Sequence, residues 1–174
     1  DDRSYEFRLR SGVRFHDGSP FDASDVKFTL DTILDPTTGS GTGWIMSTIQ
    51  SVEIKDPRTV IIRTQEPDGM ILNRLTMFGL ISSSRYVKKV VLEKALKHPV
   101  GTGPFEFIDH EPGQRYRLKR NARYWRKGIP AAQELEIKIL PERRWADLLL
   151  AGEVDLVPYL SGSKENLLAS SDVA

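Results

Sequence analysis

Cysteine is absent from all 174 residues, which excludes thiol nucleophiles, disulfides, CxxC redox pairs and cysteine-ligated zinc together. Long apolar runs are missing as well, since none approaches the roughly 18 residues of a membrane-spanning helix. Asp1-Asp2 leads straight into a strand pattern, so a targeting segment is expected to have been removed rather than to be present. Neither sign of charge dominates. Lys and Arg number 25 against 24 Asp and Glu, and no overall field selects for nucleic acid or an anionic membrane. The three histidines, His16, His98 and His110, are scattered without HxxxH or HExxH spacing, and a metal bound by protein histidines alone is not expected.

What is present reads as globular material. Hydrophobic residues make up 39% and charged residues 28% of a chain long enough for one core or one and a fraction. Tyr5, Phe7, Leu9, Val13 and Phe15 keep one parity while Glu6, Arg8, Arg10 and Arg14 keep the other, which predicts a half-buried strand over 5–15. Asp17-Gly18-Ser19-Pro20 is turn chemistry, and Asp22 stands three residues before Asp25 as in a capping box, opening a helix from Ala23 to about Asp35. The run DPTTGSGTG at 35–43 has no periodicity and reads as a mobile loop that delivers Trp44-Ile45-Met46.

A hairpin follows, with Val52 and Ile54 going out, Asp56-Pro57-Arg58-Thr59 turning, and Val60 and Ile62 returning. Residues 67–75 suggest a short helix. A second hairpin pairs Phe105 and Phe107 with Tyr116 and Leu118 around a type II turn at Glu111-Pro112-Gly113-Gln114. The pattern then changes to a strand at 135–139, a helix at 142–151 stopped by Gly152, and a strand at 154–157. That succession is a βαβ unit with parallel strands. Residues 164–174 begin a further helix. The chain is expected to be a fragment, truncated at both ends inside structure.

Chemistry is harder to find. His16 and Asp17 are adjacent, so on a strand they point to opposite faces. Ser82-Ser83-Ser84 lacks the glycine-flanked elbow of a nucleophile and suits a strand end or loop. Gly101-Thr102-Gly103 is followed by Pro104 and a strand, where a phosphate loop requires a helix N-terminus. The segment 115–127 holds seven Lys or Arg and no acid, interleaved with Tyr116, Tyr124 and Trp125. Bases and aromatics so arranged can hold a single nucleic-acid strand. The alternation of Arg115, Arg117 and Lys119 with Tyr116 and Leu118 favours the exposed face of a half-buried strand instead, and no nucleic-acid partner is expected.

Three blocks carry a resemblance. YEFRLRSGVRFHDGSPFDASDVKFTL at 5–30, HPVGTGPFEFIDHEPGQRYRLKRNARYW at 98–125 and LEIKILPERRWADLLLAGEVDLV at 135–157 resemble the extracellular solute-binding proteins of the peptide and nickel family, family 5, which serve ABC importers. FHDG, GTGP and N-x-x-YW occur here in that family's order. The resemblance implies an α/β fold, a periplasmic-binding-protein-like lobe with a mixed sheet, antiparallel hairpins and one βαβ unit. Residues 1–97 would form a small antiparallel-rich subdomain of the first lobe and 98–174 its βαβ-containing part, with the second lobe and the N-terminal strands missing.

By the same resemblance, FHDG and GTGP are scaffold, and the protein is a non-catalytic, periplasmic or cell-surface receptor. It would use no cofactor and deliver an oligopeptide or similar solute to a membrane permease. A ligand-sensing domain of a regulator is the alternative on the same fold. The stretch that brings up Trp44 corresponds to a region that reaches toward ligand in the family, and an aromatic wall suits a peptide, a sugar or a metal chelate. Trp44 is a candidate for either cleft or core, with Met46, Phe78 and Tyr159 as further candidates. Nickel binders of the family place an arginine after the short helix, and Thr76-Met77-Phe78-Gly79 offers none.

Overall fold

A computed structural model describes residues 2–158 of the chain. Its first sheet is built from β1 (Ser4–Arg8), β2 (Ile49–Asp56) and β3 (Thr59–Thr64), in the order β1-β3-β2 with every pair antiparallel. Register follows the apolar parity: Tyr5 lies opposite Ile62 and Phe7 opposite Val60, and Val52 pairs with Ile62 from the other side. One face of the sheet is thereby apolar except for the buried Thr64 at the end of β3. The β2–β3 turn is Pro57-Arg58, fixed by the Asp56 carboxylate, which accepts the Arg58 N–H at 2.8 Å.

The first strand is shorter than the 5–15 run its alternation predicts. Parity persists to Phe15, which is buried like Val13, but Gly12 takes φ +74° and turns the chain. Beyond it only a single bridge forms, between Arg14 and Pro20. A burial pattern of period two survives a bend that a continuous ladder does not.

Helix α1 (Ala23–Leu34) covers the apolar face with Val26 and Leu30, joined in the core by Met46, Ile49, Val60, Ile62 and Ile71. Its start is the expected capping box. Asp22 accepts the Ser24 N–H at 2.9 Å, and Asp25 reaches back to the Asp22 N–H at 3.0 Å. Asp25 is 0% exposed, and a buried carboxylate must be fully partnered to be tolerated. Ser84 supplies the rest through its N–H at 2.9 Å and its hydroxyl at 2.7 Å. Burial raises the Asp22 carboxyl, but hydrogen bonds from Ser24 and Arg85 outweigh that and hold it below the usual carboxylate range.

After α1 the chain is not a formless loop. Asp35 accepts from the Thr37 N–H at 2.8 Å and Pro36 starts a 3-10 turn at Pro36–Thr38, with a second 3-10 turn at Gly43–Met46. Helix α2 (Ile71–Phe78) begins later than the 67–75 pattern suggests, because Asp68 first folds a turn by accepting the Met70 N–H at 2.9 Å. The serine run is no strand end: Ser82 and Ser83 lie in a loop, the other reading, and Ser84 opens a helix. Ser83 caps α3 (Ser84–Val90) by accepting from the Tyr86 N–H, and α4 (Leu92–Lys97) follows.

A second sheet contains β4 (Phe105–Glu111), β5 (Arg115–Arg120) and β6 (Glu134–Lys138) in that order. The β4–β5 turn has Gly113 at φ +72° and the Gln114 N–H on Glu111 O at 3.0 Å, as a type II turn requires. Beyond β6, a 3-10 turn at Glu142–Arg144 runs into α5 (Trp145–Leu150), which Gly152 ends at φ +68°. The strand expected at 154–157 is absent from the structure. The Val154 N–H turns back to Leu148 O at 3.4 Å as part of the helix end, and none of 154–157 joins a ladder. The helix expected at 164–174 lies outside the described residues.

Among the described residues, compact packing groups those up to Asp109 with Leu118–Leu135 as one unit, and His110–Arg117 with those from Glu136 onward as another. Among the described residues no helix is long and apolar enough to cross a membrane. The basic stretch 115–127 is matched by acids. Arg115 pairs with Glu111 and with Glu136 at 3.0 Å, and Lys119 meets Glu106 at 3.5 Å. Its burial differs from the sequence pattern, because Tyr116 is exposed while Arg115 and Arg117 are half-buried.

Candidate functional site

Trp44 stands out at the surface. It is 76% exposed, although its neighbours on both sides are fixed. On the N-terminal side Gly43 runs so close to α1 that a Cβ there would lie 2.8 Å from Ile33 O. A side chain would have to displace backbone, so glycine is required. Met46, two residues on, is 0% exposed in the core. The indole therefore projects from a turn whose root is packed and whose tip is wet.

The C-terminal side is held by a polar hub under the same turn. Asp68, 6% exposed, accepts from the Thr48 hydroxyl at 2.6 Å and forms an ion pair with Arg74 on α2. Arg74 also donates to the Thr48 hydroxyl at 3.1 Å. Tyr5 on β1 closes the cluster, its hydroxyl accepting the Asp68 N–H at 2.9 Å. Burial raises the Asp68 carboxyl, but Thr48, the Met70 N–H and the Arg74 charge prevail and set it below the ordinary carboxylate range.

The sign of the pH dependence follows. A carboxyl depressed in the folded state contributes stability that is fully present above its unfolded value of about 3.9, and is lost as pH falls through the lower folded value. The urea midpoint is expected to hold from neutrality down to about pH 4 and then to drop, with Asp68→Asn starting lower and losing less. Parallel acid losses in the two proteins would refute the assignment to Asp68.

The other expected site residues divide. Met46 is core and offers nothing to a solute. Phe78, at the end of α2, is half-buried and packs against the core. Tyr159 lies outside the described residues. Exposed Leu72 and Met77 on α2, and Leu80 just after it, were not singled out by sequence reasoning. Their signal was faint, because apolar residues on a short helix look the same whether they face core or water. Phosphate and nucleophile motifs gather no chemistry either.

Instead, the sequence blocks FHDG, GTGP and N-x-x-YW converge on one knot. The His16 ring takes the Gly101 N–H on Nδ1 at 3.2 Å and bonds Gly103 O through Nε2 at 3.0 Å, which sets the Nε2–H tautomer. Asn121 donates to the same Gly103 O at 3.0 Å. Arg123 donates to His16 O at 2.9 Å. Arg10 lies 4.3 Å from the Trp125 ring centroid. These groups hold backbone or stack on rings, as scaffold residues do.

The family model for bacterial extracellular solute-binding proteins, family 5, middle region, matches residues 1–172. A glutathione-binding protein, GsiB, of Escherichia coli O1:K1 is 30% identical over 167 residues, 91% of this chain and 32% of that protein. The chain thus spans about a third of the length of that curated relative. A dipeptide-binding protein of Pseudoalteromonas sp. SM9913, solved with Met-Leu, superposes with a TM-score of 0.81 at 25% identity, covering 99% of this chain and 38% of that one. NikZ of Campylobacter jejuni, solved with Ni(L-His), gives 0.78 at 26% identity over 88% of this chain and 31% of that one. The chain belongs to the bacterial extracellular solute-binding proteins of family 5.

Proposed function

We propose that this chain is part of the first lobe of an extracytoplasmic solute-binding protein that captures a peptide or a similar small solute and hands it to the permease of an ABC importer. Residues 1–97 and 98–174 would be the two portions of that lobe in the whole protein. The observation that carries the reading is Trp44, an indole held out to water on an anchored turn. Exposing so large an apolar surface is unfavourable, and a flat ring that grips without demanding charge suits a cleft wall.

The neighbouring sequence favours an uncharged contact. Residues 36–52 and 75–84 contain no Asp, Glu, Lys or Arg, and Asp68 and Arg74, which meet at Thr48 beside the turn, neutralise each other. This wall would grip apolar or neutral parts of a solute. Charged termini would be met elsewhere in the whole protein. Among the described residues no group of three or more His, Asp or Glu is placed to hold a metal ion, and the role proposed is binding.

The test is calorimetric titration of the complete protein with Met-Leu, glutathione and a nonapeptide, beside native mass spectrometry for a co-purified solute. Submicromolar binding of a peptide, weakened by Trp44→Ala at low and high salt alike, is expected. Tight binding of these solutes by the isolated 174-residue piece would refute the two-wall reading, because a one-walled cleft leaves its ligand half in water. Binding of single-stranded nucleic acid that survives high ionic strength would restore the alternative based on 115–127.

A further inference from the structure

We infer that Thr48, Asp68 and Arg74 form a positioning device that holds the Trp44 turn in its solute-ready orientation. The inference rests on the reading of Trp44 as a solute contact and adds the residues that set its readiness. Three anchors lie on the short segment that carries the indole. Gly43 is seated against Ile33 O, Met46 is locked in the core, and Thr48 is bound to the hub. Two of these are insensitive to anything but packing. The third is polar and directional.

Thr48 stands at the junction between the turn and β2, so its orientation sets how the turn leaves the sheet. Its backbone O accepts the Gln65 N–H at 2.9 Å, which ties the junction to the residue after β3. Its hydroxyl donates to Asp68 at 2.6 Å and accepts from Arg74 at 3.1 Å. That hydroxyl both gives its proton and accepts on one lone pair, which fixes its direction. Asp68 in turn is held by Tyr5 of β1 and by the Met70 N–H at the head of α2. At Asp68 the hub therefore relates three elements: its backbone N–H is bonded to Tyr5 of β1, and its carboxylate meets Arg74 of α2 and Thr48 of the Trp44 turn.

A structural account alone would leave the placement of this hub a coincidence. Ion pairs between partly buried groups stabilise folds little compared with apolar packing of similar volume. Their directional geometry does fix which of several nearby backbone arrangements is adopted. A turn that already holds the bound conformation spends less of its contact energy on ordering when the solute arrives. The hub would act on affinity through Trp44 and not by touching the solute.

The experiment uses the complete protein labelled with 5-fluorotryptophan, the Trp44 resonance being assigned by its loss in Trp44→Phe. Thr48→Val keeps the shape but deletes the hydroxyl, and Thr48→Ser restores it. With Met-Leu, glutathione and a nonapeptide as probes, Thr48→Val should weaken the probe that binds by about tenfold, and the loss should vanish in a Trp44→Ala background. The unliganded Trp44 resonance should shift or broaden in Thr48→Val and return in Thr48→Ser. An equal affinity loss in both backgrounds would overturn the inference, as would an unaltered Trp44 resonance in Thr48→Val. If Trp44→Ala leaves every affinity unchanged, the cleft reading fails by itself, and the resonance alone then decides whether the hub positions the turn.

Discussion

His16→Ala is expected to destabilise the folded protein by about 2–3 kcal/mol, because two backbone groups lose their partner at once and unmade hydrogen bonds at part-buried groups are costly. The His16 ring is the single side chain that bonds both Gly101 N–H and Gly103 O. Alanine leaves the first of these without its acceptor and the second with only Asn121. Amide hydrogen exchange gives the local readout. The Gly101 N–H should exchange markedly faster in the variant, while amides of β2 and β3 change only by the global loss.

A double-mutant cycle sharpens this expectation. His16 and Asn121 share Gly103 O as acceptor, so each single variant leaves the other bond to hold the loop. The double variant His16→Ala/Asn121→Ala should therefore lose more than the sum of the two by about 0.5–1 kcal/mol, measured by urea unfolding. Strict additivity would mean that the two side chains act on separate parts of the knot. Solute affinity at fixed folded fraction should be unaffected by any of the three, since the bonds these two side chains make hold the loop backbone.

Local rules were legible where a few neighbouring residues decide the outcome. Asp22 and Asp25 announced the capping box, Pro57 and Gly113 announced their turns, and Gly152 announced a helix end. The parity from Tyr5 to Phe15 gave the burial of each residue but hid the bend at Gly12, since alternation records which side faces the core and not whether a ladder continues. Residues 154–157 had the apolar content of a strand. A strand also needs a neighbour, and sequence periodicity does not show whether one is present.

The scaffold role of FHDG and GTGP was legible from the family resemblance, whereas its physics was not. Nothing in the spacing of His16 and Gly101, 85 residues apart, reveals that one ring takes both a donor and an acceptor from the same loop. The hub beneath Trp44 was invisible for the same reason. Tyr5, Thr48, Asp68 and Arg74 are ordinary residues in four separate stretches of the chain, and only their meeting makes them a unit. Trp44 and Met46 posed the sharpest ambiguity. Two apolar residues two positions apart in a turn give no period from which to tell inside from outside.

That ambiguity yields the second large expected effect, read from two variants with opposite signatures. Trp44→Ala in the complete protein should weaken solute binding by about 1–3 kcal/mol, the usual loss for an aromatic anchor in a binding site. Its unliganded melting temperature should hardly move, because a side chain 76% exposed makes few contacts to lose. Met46→Ala should do the reverse. Truncating a methionine 0% exposed in the core costs about 2–5 kcal/mol of stability through lost burial and the cavity left behind. Its intrinsic affinity, measured well below the melting temperature, should stay within about twofold of the parent, since a core defect acts on binding only through the folded fraction. Calorimetric titration and thermal scans on both variants separate the roles. A collapsed melting temperature with unchanged affinity in Trp44→Ala would show that the indole is covered in the complete protein, and would withdraw it from the cleft wall.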